Sequence, residues 1–229
     1  MADTTIDIHG DLVETFFAVP ASGSGPAVIV IQEWWGLVPH IRDVVQRFAD
    51  EGFVAMAVDH YRGARTTEPD EAGKLVMGLS IEQASIDLGA AADALLAREE
   101  VVGDEVSVVG FCMGGGLALL APTVSDAITR TVAFYPAMPW PHFAPDWSRY
   151  AGKAAQVHMA EHDNPATAPA VAALAEEISA SGGAIEVLDY PGGVHAFFND
   201  SRPEEYQHDN AERAWTRTVN FLREEIHRG

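Results

Sequence analysis

Residues 106–116 read Val-Ser-Val-Val-Gly-Phe-Cys-Met-Gly-Gly-Gly, and this run constrains the fold more than any other. Apolar residues Val106, Val108 and Val109 lead in as a buried strand would. Small and apolar residues from Gly114 to Leu120 follow as a helix would. A strand that breaks into a helix across Gly-x-Cys-x-Gly is a nucleophile elbow with cysteine in place of serine. Such a turn holds its central residue in strained backbone, so the glycines two before and two after remove Cβ atoms that would collide. The free N–H groups and positive dipole end of the following helix point at the sulfur and favour thiolate. Cys112 is the only cysteine. A lone cysteine is ordinarily a small buried hydrophobe, but the flanking pattern argues against that reading here.

The rest of the chain agrees with an elbow at the edge of a parallel sheet. Ile6, Ile8 and residues 12–19 suggest two strands of a hairpin turning at His9-Gly10-Asp11. Residues 27–31, 53–58, 106–109, 131–135, 155–159 and 185–190 are short apolar runs, as expected of strands buried on both faces. Between them lie helical stripes. Pro39 opens one through Ile41, Val44, Val45 and Phe48, and Gly52 closes it. Others run through Ile81, Ala84, Leu88 and Leu95, through Val171, Leu174 and Ile178, and through Ala211, Trp215 and Leu222. Strand–helix alternation predicts an α/β fold, a mostly parallel sheet covered on both faces, with ligands beyond the carboxyl ends of the strands. No linker or repeat divides residues 1–229, so one domain is expected. The Pro- and Trp-rich segment 136–153 is expected to be a loop over the site, with a dimer contact as the alternative.

Composition excludes several functions. The chain has 229 residues, 48% hydrophobic and 21% charged, which suits a globular core. A net charge of −20 repels nucleic acid and anionic membranes, so neither is an expected partner. No apolar run approaches the ~20 residues that cross a bilayer. One cysteine permits no internal disulfide, and the N-terminus lacks a basic, then apolar, secretory pattern. A cytoplasmic protein, monomeric or a small homo-oligomer, is expected.

A thiolate nucleophile needs a base oriented by a third group. In α/β-hydrolases these follow in the order nucleophile, acid, histidine. Asp163 stands in the turn after the strand at 155–159, and His195 in the loop after the strand at 185–190. Glu161 is the rival acid, and Asp163 has a competing reading as a helix cap near Pro165. His158 and His162 on a strand do not converge on one ion, so no metal is expected, nor any other cofactor. After the strand at 27–31 comes Gln32-Glu33-Trp34-Trp35-Gly36. The loop at this position and the residue after the nucleophile supply the oxyanion amides, which assigns Trp34 and Met113. Glu33 becomes an acid in an aromatic pocket, where desolvation raises its pKa and nearby cations lower it.

On these motifs, with Asp59-His60-Tyr61-Arg62 and Gly193-Val194-His195-Ala196-Phe197, the chain resembles the dienelactone hydrolases, the carboxymethylenebutenolidase family of the α/β-hydrolase fold. The resemblance implies Cys112 as nucleophile, His195 as base and Asp163 as orienting acid. It also implies that Glu33 holds the resting thiol neutral and swings when substrate binds. The implied activity is cleavage of a small ester or lactone. A broad carboxylesterase or thioesterase is the alternative on this scaffold, and a non-catalytic thiol sensor the alternative of another class. The expected substrate contacts are Trp35, Tyr61, Phe197, Asn199 and either Arg62 or Arg65. Family members grip a substrate carboxylate with two arginines, one of them four residues after the histidine. Asn199 stands there in this chain, with Arg202 three residues further on, so recognition of a carboxylate is not expected to be strong.

Overall fold

In the computed structural model, which describes residues 2–138 and 143–224, the apolar runs build one eight-stranded sheet. Its strands are β1 (Ala2–Ile8), β2 (Asp11–Ala18), β3 (Gly25–Ile31), β4 (Val54–Val58), β5 (Val101–Phe111), β6 (Ile128–Phe134), β7 (Ala154–His162) and β8 (Ala184–Val194). They lie side by side in the order β1-β2-β4-β3-β5-β6-β7-β8. β2 runs antiparallel to both its neighbours, and all pairings from β4 to β8 are parallel. The chain passes from β3 to β4 on one side, then returns to set β5 on the other side of β3. That reversal opens a crevice at the carboxyl ends of β3 and β5, where open parallel sheets bind ligands.

Both faces of the sheet are covered, which is why its strands are continuously apolar. Val28 and Val30 face one side with α1 (Pro39–Asp50) and α6 (His208–Arg223). Ile29 and Ile31 face the other with α3 (Ile81–Leu96) and α4 (Met113–Leu120). A third cluster joins β7 to α5 (Thr167–Ala180) and to Tyr150. The stripes read from the sequence are the buried faces of α1, α3, α5 and α6.

Two features differ from the sequence reading. β5 begins at Val101 and β8 continues to Val194, past Pro191 and two glycines, so the final strand reaches the residue before His195. β8 is an edge strand, where proline costs no ladder bond. Helix α2 (Pro69–Gly78) lies in a stretch before Ile81 to which the sequence reading assigned no element. It buries only Ala72, and a helix that buries one residue carries no apolar stripe to read. Of segment 136–153, residues 136–138 line the site and Trp147–Tyr150 form a short 3₁₀ turn; Pro139, Trp140 and Pro141 lie outside the described residues.

Candidate active site

The elbow has the geometry its glycines imply. Cys112 adopts φ 55°, ψ −119°, a region L-residues avoid, between the last residue of β5 and the first of α4. Its N–H donates to Phe134 O, and its own carbonyl accepts from Gly116 N and Ala137 N. A Cβ on Gly110 would stand 1.9 Å from Gly114 O. A Cβ on Gly114 would stand 2.4 Å from Gln32 O and 2.7 Å from Ile31 O. The second approach does more than fit the turn: it lets α4 rest against the backbone leaving β3. Trp34 and Met113 consequently line one cavity with the cysteine. Met113 is the first residue of α4, where helix amides have no intrahelical acceptor.

The cavity has a volume of about 740 Å³ and is walled mainly by apolar side chains, among them Trp35, Val76 of α2, Met138 and Ala170. Asp163 and His195 line it too. His195 Nδ1 lies 2.9 and 2.8 Å from the two carboxylate oxygens of Asp163. Burial alone would pull the ring's pKa down. Hydrogen bonding to Asp163 and to the Cys112 sulfur, with the electrostatic pull of both groups, outweighs burial and pushes it up to about 10. The ring sits 5.0 Å from that of Tyr135, centroid to centroid. Asp163 does not cap α5, whose cap residue is Ala166, with no side-chain bond. Glu161 is exposed and accepts from Gly192 N at 2.6 Å, holding the loop that leads to His195. The thiol, the imidazole and Asp163 thus form one chain of contacts, drawn from the ends of β5, β7 and β8.

Glu33 is 1% exposed and also borders the cavity. Asn199 Nδ2 donates to its Oε2, and the Tyr135 hydroxyl lies 3.4 Å from its Oε1. Burial holds this carboxyl above the usual carboxylate range; His40, the Asn199 amide, His195 and Arg202 pull the other way without cancelling it.

Several residues expected to touch substrate are placed elsewhere. Arg62 forks onto Asp87 at 2.7 and 2.8 Å and reaches Asp11 at 3.1 Å. Asp87 is 1% exposed, and a buried carboxylate demands a cation more strongly than an open cavity does. Arg65 pairs with Glu14 at 2.6 Å. Neither arginine lines the cavity. The run Asp59-His60-Tyr61-Arg62 is a self-bracing turn, with Asp59 accepting from Tyr61 N and Gly63 N. Phe197 is fully buried and stacks on Tyr190 at 4.9 Å, supporting the histidine loop from below. Tyr61 is half-buried in the second core cluster and does not line the cavity. Asn199 donates to Glu33. Trp35 does line the cavity.

The sequence reading missed Tyr135 and Glu205 and left Arg202 open. Tyr135 directly follows β6, a position the parallel-sheet rule would have flagged. Arg202 lines the cavity with its guanidinium 4.7 Å from the Trp35 ring centre, and Glu205 accepts from it at 2.9 Å. His158 is buried with Nδ1 2.8 Å from Tyr190 Oη and Nε2 3.0 Å from Thr218 Oγ1, while His162 is exposed. Both His158 nitrogens are engaged, so the two histidines share no site.

This cysteine elbow with a histidine–aspartate pair, on a sheet of this order, has relatives. The sequence model of the Dienelactone hydrolase family matches residues 13–226. The chain belongs to the dienelactone hydrolase family. It is 34% identical to "Protein usf" of Aquifex pyrophilus over 94% of this chain and 95% of that one. It is 29% identical to "Putative carboxymethylenebutenolidase" of Aquifex aeolicus, covering 94% of each. The crystal structure of a dienelactone hydrolase-like promiscuous phosphotriesterase from metagenomic libraries superposes with a TM-score of 0.79 at 24% identity, over 96% of this chain and 95% of that one. The fold is the α/β-hydrolase fold of that family, and the protein is an ester or lactone hydrolase. Among the described residues no helix is long and apolar enough to cross a membrane.

Proposed function

We propose that this dienelactone hydrolase family member cleaves a small ester or lactone through a thioester on Cys112. The observation that carries the reading is the Asp163–His195–Cys112 chain of contacts inside one cavity. An imidazolium beside the elbow sulfur favours thiolate, which attacks the carbonyl carbon. The carbonyl electron pair moves onto oxygen, where the amides of Trp34 and Met113 receive it. The tetrahedral intermediate collapses, the C–O bond breaks, and the His195 imidazolium gives its proton to the departing oxygen. Neutral His195 then takes a proton from water, hydroxide adds to the thioester carbonyl, and collapse releases the acid and restores the thiolate. Asp163 holds the ring with its other nitrogen toward sulfur.

The cavity volume lies in the upper part of the ~300–1,000 Å³ range of small-molecule sites, which favours a broad range of acyl groups. Among the described residues the one arginine lining it is already paired with Glu205, which favours neutral substrates. We place the protein in a reducing cytoplasm, as one domain, monomeric or a small homo-oligomer. The test is a pre-steady-state assay with a chromogenic ester. Wild type should give a burst approaching one equivalent of product per chain, and Cys112→Ala no burst and a loss of turnover on the order of 10⁶-fold. Undiminished turnover in Cys112→Ala would overturn the mechanism. A thiol sensor, the reading from another class, would alkylate readily and show no burst.

A further inference from the structure

The last strand reaches His195 through a bulge. β7 and β8 pair Ala160 with Tyr190, and their next pairing is His162 with Val194. Pro191, Gly192 and Gly193 therefore stand opposite Glu161 alone. Had the earlier register continued, Gly193 would fall level with Asp163. The bulge puts His195 there instead, and its Nδ1 meets the Asp163 oxygens at 2.9 and 2.8 Å. β8 gains two residues on β7, an even number, so no side chain changes face. The glycines permit the detour: Gly192 has φ 70°, and a Cβ on Gly193 would stand 2.7 Å from Tyr190 O. A bulge leaves backbone groups out of the ladder, and here side chains meet them. Glu161 Oε2 accepts from Gly192 N at 2.6 Å, and Gln207 Nε2 donates to Gly192 O at 2.9 Å. Gln207 immediately precedes α6, and its amide is fixed in orientation because Oε1 accepts from Asn210 Nδ2 at 2.7 Å. Its own N–H donates to Phe197 O at 2.9 Å. Gln207 thus holds the chain on both sides of His195.

We infer that Glu161 and Gln207 are positioning residues that clamp the β8 bulge and so hold His195 level with Asp163. The inference rests on His195 and Asp163 being the base and its orienting acid. Neither clamp residue lines the cavity, so each acts on substrate only through the imidazole. Glu161 serves as an acceptor and not as an acid. Its bond to Gly192 N is charge-assisted, but another oxygen in the same place would also accept it. Both contacts to Gly192 are exposed, so water replaces them when they are removed, and the fold loses little. What their removal changes is the place of the loop. A base works only within hydrogen-bond reach of its partners, so a small shift loosens the hold of Asp163 on Nδ1 and turns the other nitrogen from the sulfur.

Glu161→Ala and Glu161→Gln, each in the whole protein and assayed with one neutral chromogenic ester, provide the test. The alanine variant should lose at least about tenfold in kcat at unchanged KM, well inside the ~100-fold that a 1 Å misplacement can cost. Glutamine keeps an acceptor oxygen and should restore most of that loss. The second readout is the proton on His195 Nδ1, which resonates far downfield while bonded to a carboxylate and is identified by its absence in His195→Ala. Wild type and Glu161→Gln should show it, and Glu161→Ala should lose it to exchange with water while its melting temperature barely moves. If Glu161→Ala does not fold, Gln207→Ala, which keeps the backbone bond to Phe197, must show the same losses of kcat and resonance. Wild-type kcat with the resonance intact, in whichever of these variants folds, overturns the inference. So does a lowered melting temperature with the resonance in place, the mark of a brace with no part in catalysis. A Glu161→Gln as impaired as Glu161→Ala also overturns it, because the charge and not the acceptor would then be essential. Failure of the underlying reading is seen separately, as wild-type kcat in His195→Ala or Asp163→Asn.

Discussion

Replacing Arg62 with alanine separates a structural arginine from a substrate-binding one. In the folded chain Arg62 makes two charge-assisted bonds to Asp87, at 2.7 and 2.8 Å. Asp87 is 1% exposed, so solvent cannot replace the guanidinium. Deleting one partner of a buried ion pair costs about 3–5 kcal/mol. Here Gln83 remains at 2.9 Å and His60 at 3.5 Å, and the Arg62 side chain is 31% exposed, which places the loss near the lower bound, about 3 kcal/mol. The exposed contact to Asp11 adds little. At roughly 2–4 °C per kcal/mol for a chain of this size, the melting temperature should fall by about 6–12 °C. Burial raises the Asp87 carboxyl, but hydrogen bonds from His60, Arg62 and Gln83 outweigh it and hold the pKa below the usual carboxylate range. A depressed folded pKa contributes stability above the unfolded value and loses it as pH falls through the folded one. The gap between wild type and Arg62→Ala should therefore be full at neutral pH and close in acid. Urea and thermal unfolding measure the first effect, and steady-state kinetics on a neutral and an anionic ester should show little change in KM for either. An unshifted melting temperature together with a tenfold rise in KM for the anionic ester alone would refute the argument and return Arg62 to the substrate site.

Three further outcomes follow from the same structure. His195→Ala and Asp163→Asn should each lower kcat, the histidine more, and the double variant should be little worse than His195→Ala, because Asp163 acts through the ring; additive losses measured with one ester would show independent roles. Burial, then Arg217, pulls His158 from 6.5 to about 3, so the folded state favours the neutral ring; stability should decline by about 1.4 kcal/mol per pH unit as pH falls from the first value toward the second, and urea midpoints should show a shallower decline in His158→Gln. Glu205→Gln should release Arg202 and raise kcat/KM for a carboxylate-bearing lactone relative to a neutral one by at least about tenfold, the ~1.4 kcal/mol of one charge-assisted bond; an unchanged ratio would show that Arg202 does not meet the substrate.

The elbow was legible from the chain because its constraints are local. Gly110 and Gly114 stand where they do because any Cβ would strike backbone within a few residues or on the adjoining strand, so the spacing carries the geometry. The order of Cys112, Asp163 and His195 was legible because each follows an apolar run, and parallel strands bring their carboxyl ends together. Helix α2 was not legible, since one buried alanine leaves no period, yet α2 brings Val76 to the cavity wall. Charge partners were not legible either. Arg62 looked free for substrate because Asp87 lies on α3, and only the packing of α3 under the loop after β4 joins them. Asn199 looked like a weakened carboxylate clamp because its position was read against a motif, whereas its amide meets Glu33 across 166 residues of chain. Sequence by itself determined which backbone can turn and which faces must be buried, because sterics and hydrophobicity act between near neighbours. Which buried acid meets which cation or amide was decided by tertiary structure, because that pairing depends on distances the chain sets only once it has folded.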